Sequence, residues 1–185
     1  ESGDYVVISQ HWDKGEISDV GAVTYCSGEI GCQGMVDSSN SLVGTKTNDR
    51  VGNGGVTSLT NGNYVVSSRN WRRDALTNLN AGAATLCNSI KGCIGEVNEA
   101  NSLVGSLPHM LIGWGGITPL TNGNYVVNNL NTVTFCNGNI GCSGKVSRSN
   151  SLLGAAAWGS IRESVIALPN GNYLVNNTLW SNGNI

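Results

Sequence analysis

The sequence predicts an all-β protein built from repeated four-stranded antiparallel units, either as β-propeller-like blades or, alternatively, as a β-solenoid array. Three observations support this prediction. A pair of cysteines six residues apart occurs three times, and an Asn-Ser-Leu landmark begins eight residues after each second cysteine. A hairpin-like stretch recurs four times around a tyrosine. No segment shows helical periodicity. Internal repetition indicates the architecture even without assigning each residue to a strand or turn. The four tyrosines are Tyr5, Tyr64, Tyr125 and Tyr173.

The repeats have an unequal period because one loop varies in length. Successive tyrosines are 59, 61 and 48 residues apart, whereas each first cysteine lies 18 residues before the glycine that ends its landmark. The third copy has therefore lost a loop between its tyrosine and its first cysteine. The sequence predicts one repeat domain over residues 1–185, with repeats at about 1–54, 55–115 and 116–163 and a partial fourth at 164–185.

The first hairpin of each repeat flanks an Asn-Gly dipeptide. Two short apolar runs surround Asn-Gly in the segments 56–66, 117–127 and 165–175. Asn-Gly accepts positive φ at both central positions of a type I′ turn, so it is a strong hairpin signal. The pattern predicts a hairpin with a type I′ turn in each of these segments.

A second hairpin is expected around the cysteines. In the first repeat, residues 21–26 and 32–36 are two short strands joined by a five-residue loop that contains glycines. Directly opposed residues of antiparallel strands lie about 4.5–5.5 Å apart at their Cα atoms, which suits a disulfide. The spacing thus predicts the disulfides Cys26–Cys32, Cys87–Cys93 and Cys136–Cys142.

Zinc is the rival interpretation of the cysteine pairs. Zinc-binding cysteines usually lie two to four residues apart, with a second pair or histidines nearby. The only histidines are His11 and His109, at non-equivalent positions. We therefore expect no metal and no cofactor. An even set of cysteines with none left over indicates disulfides and an oxidising compartment, so the protein is expected to be secreted or on the cell surface.

The composition argues against two kinds of partner. The net charge is −2 and only 12% of residues are charged, so no basic excess is available to neutralise nucleic-acid phosphates. No apolar run approaches the roughly 18–20 residues that cross a bilayer, so no membrane insertion is expected. Both termini fall inside a repeat. This favours association with neighbouring repeats, or self-association, over closure into a small ring.

Three tryptophans are candidate ligand-binding residues. Trp12, Trp71 and Trp180 each follow a landmark tyrosine by seven residues, and the third repeat has Thr132 there. Repeated tryptophans in loops stack on sugar rings in propeller lectins, or they pack between blades, and packing is the favoured interpretation. No catalytic constellation is recognisable, so no catalytic residue is predicted and the protein is not expected to be an enzyme.

Two known families resemble this chain at its landmark segments. The segments 51–66 and 40–44 resemble the Asn-Gly-Asn-Tyr-Val-Val repeats of very large bacterial secreted proteins of the filamentous-haemagglutinin type. More loosely, the order of elements is similar to the FG-GAP repeats of integrin-α-like propellers. The resemblance implies a surface-exposed, repetitive, non-enzymatic protein with a structural, adhesive or filament-assembly role. The alternative is a carbohydrate-binding propeller lectin with one shallow glycan site per repeat.

Overall fold

The computed structural model describes residues 3–73, 80–129, 132–154 and 164–176. Within these ranges all of the regular secondary structure is β, and no helix is present. The all-β prediction is therefore confirmed. Accordingly, the described ranges hold no helix of the length and apolarity that a membrane crossing requires.

Fifteen short strands occur in the described residues. In chain order they are Tyr5–Ser9 (β1), Ala22–Cys26 (β2), Ser41–Val43 (β3), Gly55–Ser58 (β4), Tyr64–Ser68 (β5), Ala83–Cys87 (β6), Gly95–Glu96 (β7), Ser102–Val104 (β8), Ile117–Pro119 (β9), Tyr125–Asn129 (β10), Thr132–Cys136 (β11), Gly144–Lys145 (β12), Leu152–Leu153 (β13), Ser164–Ala167 (β14) and Tyr173–Asn176 (β15).

The strands form four small sheets, which we call units. The first unit contains β1, β2 and β3; the second contains β4, β5, β6 and β8; the third contains β9, β10, β11 and β13. The fourth unit is the hairpin of β14 and β15. Neighbouring strands within each unit are antiparallel. The second and third units thus have the four antiparallel strands that the repeat pattern predicts.

Two very short strands connect one unit to the unit before it. β7 belongs to the second repeat but pairs in parallel with β3 of the first unit, and β12 pairs in the same way with β8 of the second unit. Backbone N–H groups make the connection: Gly95 donates to Ser38 O at 2.8 Å, and Val97 donates to Val43 O at 3.1 Å. We call this segment, residues 34–36, 95–97 and 144–146 in the three repeats, the docking segment.

The docking segment corrects the predicted second hairpin. Residues 32–36 are not the partner of β2, because β3 takes that position. A single bridge between Ser27 and Gly31 closes the cysteine loop, after which the chain leaves the sheet. The hydroxyls of Thr24 and Ser41, buried and 2.7 Å apart, join β2 to β3 instead. Equivalent hydroxyl pairs, Thr85 with Ser102 and Thr134 with Ser151, lie at the same distance in the next two units.

The predicted hairpins are present, but their turns are not type I′. In the second unit the backbone of Leu59 and Asn63 closes a three-residue loop, and Gly62 N–H donates to Leu59 O at 3.1 Å. Gly62 has φ of +91°, whereas Asn61 is not among the residues with positive φ. This is a type I turn followed by a left-handed glycine, the usual three-residue hairpin loop. Gly123 and Gly171 repeat it.

The landmark asparagine orients the docking segment. In the second repeat Asn101 Oδ1 accepts the N–H of Asn98 and the hydroxyl of Ser102, while its Nδ2 donates to Glu96 O at 2.9 Å. One side chain therefore ties the docking segment to the start of β8. Asn40 and Asn150 make the same contacts in the other repeats, to Met35 O and Lys145 O.

The hydrophobic core lies between the units. One cluster joins Val23 and Leu42 of the first unit to Tyr64 and Val66 of the second. A second cluster joins the other face of the second unit to the third, and a smaller one joins the third unit to the fourth. The second and third sheets thus each pack on a neighbour with both faces, as alternating side chains of a strand allow.

The three predicted disulfides are confirmed. The Cα atoms of each pair are 4.7, 4.9 and 5.3 Å apart in chain order, and no described cysteine is free. Because the thiolates are consumed in disulfides, they are not zinc ligands. Three disulfides in one chain indicate an oxidising compartment.

Candidate functional site

Landmark tyrosines form the contact between successive units. Tyr64 stacks on Tyr25 of the first unit, with ring centres 6.5 Å apart and planes within 9°. Tyr173 stacks on Phe135 of the third unit in the same way, at 6.1 Å and 7°. Tyr125 packs in the corresponding cluster with Leu86. Each tyrosine therefore lies against the residue that precedes the first cysteine of the unit before it.

The disulfide loops complete the contact between units. A Cβ placed on Gly92 would lie 2.3 Å from the Tyr25 Cβ, and one on Gly141 would lie 3.1 Å from the Leu86 Cβ. Tyr25 also donates its hydroxyl proton to Ser89 O at 2.7 Å. A side chain at Gly92 would therefore collide with the unit before it, and one at Gly141 would press tightly against it.

The first unit exposes the residues that its successors bury. Tyr5 is 47% exposed, whereas Tyr64 is 5% and Tyr125 0% exposed. Val7 is likewise exposed while its equivalent Val66 is buried, and Val36 of the docking segment is half-buried while its equivalents Val97 and Val146 are buried. We call Tyr5, Val7, Gly31 and the docking segment 34–36 the front face of the first unit. It is the candidate functional site of this chain.

A groove of about 460 Å³ lies between the first two units and reaches Tyr5 of the front face. Tyr5, Val6 and Tyr25 of the first unit form one side, and Val56 and Tyr64 of the second unit contribute to the other. β1 is the edge strand of its sheet, so among the described residues no strand pairs with its outer side. Exposed strand edges accept further strands.

Sequence reasoning did not single out the front face. It named the landmark tyrosines as structural and did not separate Tyr5 from its equivalents. No local signal separates them, because the same Tyr-Val-Val pattern occurs at Tyr5, Tyr64 and Tyr125.

The predicted tryptophans do not occupy equivalent environments. Trp71 is 3% exposed within the cluster between the first two units, and Lys46 Nζ lies 5.5 Å from its ring centre. Trp12 is half-buried, and Trp180 lies outside the described residues. A role of these residues in ligand binding remains a prediction, and burial leaves the Trp71 ring without a face for a sugar.

Another tryptophan, Trp114, is 52% exposed. The guanidinium of Arg69 lies 5.6 Å from its ring centre, which is within cation–π range. Sequence reasoning missed Trp114 because it lies outside the seven-residue spacing from a landmark tyrosine.

Near Trp71, the carboxylate of Asp49 forms hydrogen bonds to two loops. The buried Asp49 accepts the backbone N–H of Thr45 and Lys46, each at 2.9 Å, and that of Arg72 at 3.0 Å. This carboxylate connects the loop that follows the first unit to a loop of the second unit. Burial raises its pKa, and the three N–H groups oppose the rise in part.

A further ionic contact lies on the exposed surface of the first unit. Asp19 bonds His11 at 2.8 Å and Arg50 at 3.1 Å, and these bonds lower the pKa of Asp19. In the part of the chain that the structure describes, no three His, Cys, Asp or Glu residues lie close enough to bind a metal ion.

A comparison with known protein families shows which family the chain belongs to. The family, described as a repeat of unknown function (DUF5650), matches residues 1–53, 58–114, 119–163 and 167–185. The chain belongs to this family. No curated protein and no solved structure matches it. The comparisons do not support the resemblance to filamentous-haemagglutinin-type repeats or to FG-GAP blades, and the repeats are DUF5650 repeats.

Burial of the landmark tyrosines perturbs their ionisation. It raises the pKa of Tyr64 and of Tyr125 to about 12, because the charged phenolate is poorly solvated between DUF5650 units. The raised folded-state pKa stabilises the fold fully below the unfolded-state pKa of 10.0, and this contribution is lost as the pH rises to about 12.

We predict that Tyr64 and Tyr125 ionise near pH 12, or earlier only together with unfolding. A titration followed by tyrosinate absorbance and circular dichroism tests this. Tyr64→Phe and Tyr125→Phe should each remove part of the late absorbance change. Equal ionisation of both tyrosines near pH 10, with the fold intact, would contradict the assignment.

We predict that Gly92→Ala destabilises the protein more than Gly31→Ala. Both glycines have positive φ, of +68° and +71°, so both substitutions carry a backbone cost of about 1 kcal/mol. Only the Gly92 methyl collides with Tyr25, which adds about 1–3 kcal/mol. Nothing nearer than the Tyr5 hydroxyl at 3.6 Å faces Gly31.

Urea unfolding of the two alanine variants measures the difference. Gly31→Ala is the matched control, since the loop and its backbone conformation are the same. Equal losses in the free energy of unfolding would show that the disulfide loop does not pack tightly on the preceding unit.

Proposed function

We propose that this protein is a non-catalytic, secreted or cell-surface repeat protein with a structural, adhesive or filament-assembly role. One observation carries the proposal: the first unit exposes the same surface through which the later units pack on one another. Tyr5 and Val7 are exposed where Tyr64 and Val66 are buried. A surface that is already complementary to another part of the same chain is suited to self-association.

Two further observations support this role. The cohesion of the chain resides in contacts between units, as expected for a repeat array in which each unit contacts its neighbours. The disulfides support secretion, since they persist in oxidising compartments. They also stabilise units that are otherwise held by short strands, by about 2 kcal/mol each for so short a loop.

The arrangement of the units favours blades over solenoid layers. The first strands of successive units approach one another, β4 with β9 and β9 with β14. The antiparallel meander of the second and third units is the order found in propeller blades, whereas solenoid layers commonly pair in parallel.

The first test is the size and shape of the chain in solution. We expect the mean mass from light scattering to rise with protein concentration, and negative-stain microscopy to show elongated particles. The Ala variant of an exposed loop residue, Ile90→Ala, serves as a control that should behave like the natural sequence. A monodisperse compact monomer at all concentrations would rule out the assembly role.

Glycan binding is the second candidate function. The observation that favours it is the exposed ring of Trp114 beside the Arg69 guanidinium, because exposed aromatic rings stack on sugars. Trp71 cannot offer its ring without unfolding, given its burial.

We predict that any glycan bound by the chain is lost in Trp114→Ala while the urea midpoint is unchanged. Trp12→Ala is the comparison, because its ring is half-buried. Glycan-array screening gives the ligand, and retained binding in Trp114→Ala would place the site elsewhere. Absence of binding by the natural sequence would remove this candidate.

A further inference from the structure

The first unit has no first strand among the described residues. In the other three units this strand is β4, β9 or β14, and each pairs with the tyrosine strand through the same central valine: Val56 with Val66, Ile117 with Val127, and Val165 with Val175. The corresponding residue of β1 is Val7, whose side chain is exposed and whose strand is at the sheet edge. The groove of about 460 Å³ between the first two units reaches Tyr5 of this strand.

The last described strand, β15, duplicates β1. Residues 5–17 align without gaps on residues 173–185, so the two segments are alternative versions of one tyrosine strand. Three tyrosine strands follow a first strand, namely β5, β10 and β15, and β15 is the least buried of them. Tyr173 and Val175 are half-buried, and Leu174 is exposed, whereas all of β5 and β10 is buried.

The front face of the first unit and the third unit offer complementary backbone groups. In the second repeat the N–H groups of Gly95 and Val97 bond carbonyls of the first unit, and Gly144 and Val146 bond Glu99 O and Val104 O in the same way. The equivalent donors in the first repeat are Gly34 and Val36. The equivalent acceptors in the third unit are the carbonyls of Arg148 and Leu153.

Among the described residues, no backbone hydrogen bond reaches the N–H groups of Gly34 and Val36 or the carbonyl of Arg148. Asn40 nevertheless holds the first docking segment in its paired form, through Met35 O at 2.8 Å and the Asp37 N–H at 3.1 Å. The segment is therefore preorganised for a partner strand. Leu152, beside the acceptor edge of β13, is exposed.

From these contacts we infer that a second copy of this chain associates head to tail by strand exchange. β1 of the incoming copy replaces β15 beside β14, and β2 and β3 of that copy complete a four-stranded hybrid unit. Tyr5 then stacks on Phe135 in place of Tyr173, and the incoming docking segment pairs with β13. Repetition of the step gives a filament. This inference rests on the assembly role proposed above and specifies its interface.

Strand exchange predicts opposite effects for two equivalent valines. Val7→Lys places a charge on the incoming strand, where it would face the apolar cluster of the third unit, so assembly should require an about tenfold or higher concentration. Val175→Lys weakens the strand that must leave, so assembly should occur at a concentration about tenfold lower. Simple hydrophobic association would not give opposite signs.

Sedimentation velocity over a range of concentrations measures the effect. The control is Ile140→Lys, whose side chain is 85% exposed in the third disulfide loop and would remain exposed in the hybrid unit, as the equivalent Lys91 is in the second loop. This variant should assemble like the natural sequence. Circular dichroism and urea unfolding confirm that each variant keeps its fold.

Hydrogen exchange tests strand exchange on the natural sequence, without any substitution. Amides of residues 5–9 and 34–36 should gain protection as the concentration rises, and those of Ile30 and Ile140 should not. If the natural sequence assembles but Val7→Lys and Val175→Lys match the control, strand exchange is wrong and the assembly role stands. If neither the natural sequence nor Val175→Lys assembles, the assembly role fails as well.

Discussion

Every sheet in this protein carries apolar side chains on both faces, and this constraint governs the rest of the structure. In β5, Val66 packs toward the first unit while its neighbour Val65 packs toward the third. Both are fully buried. A single unit therefore cannot bury its own hydrophobic surface and depends on packing against a neighbouring unit. Burial of apolar area stabilises by about 25 cal/mol per Å², so the packing between units contributes to the stability of every unit that takes part in it.

The other recurring features keep successive units in register. The landmark asparagine directs the docking segment to the preceding unit, and the tyrosine and the disulfide loop pack on that same unit. Hairpin turns add a further connection: Thr60 donates its hydroxyl proton to Leu120 O, and Thr121 donates to Pro169 O, each at 3.2 Å. The features that identify the repeat in the sequence are thus the residues that join one unit to the next.

Local features of the fold were predictable from the sequence, and contacts between repeats were not. Asn-Gly placed the hairpins, and the cysteine spacing gave the disulfides, because both depend on residues close in the chain. The turn type was wrong since Asn61 has negative φ and only Gly62 is left-handed. The docking segment was missed because Gly95 and Glu96 pair with β3, more than fifty residues earlier, and two residues carry no strand pattern. Trp71 could not be separated from Trp12, because spacing does not report burial.

Equivalent residues differ in exposure according to whether another unit packs against them. This difference connects the fold to the proposed assembly. Tyr5, Tyr64 and Tyr125 occupy the same place in their units, yet only Tyr5 is exposed. The same sequence element therefore serves as core in one repeat and as surface in another. Keeping a large aromatic ring and a valine at an exposed strand edge carries a risk of non-specific association. In the proposed assembly, the complementary groups at the third unit would restrict association to one register, since a shift by one residue would turn Val7 away from the cluster that accepts its equivalents.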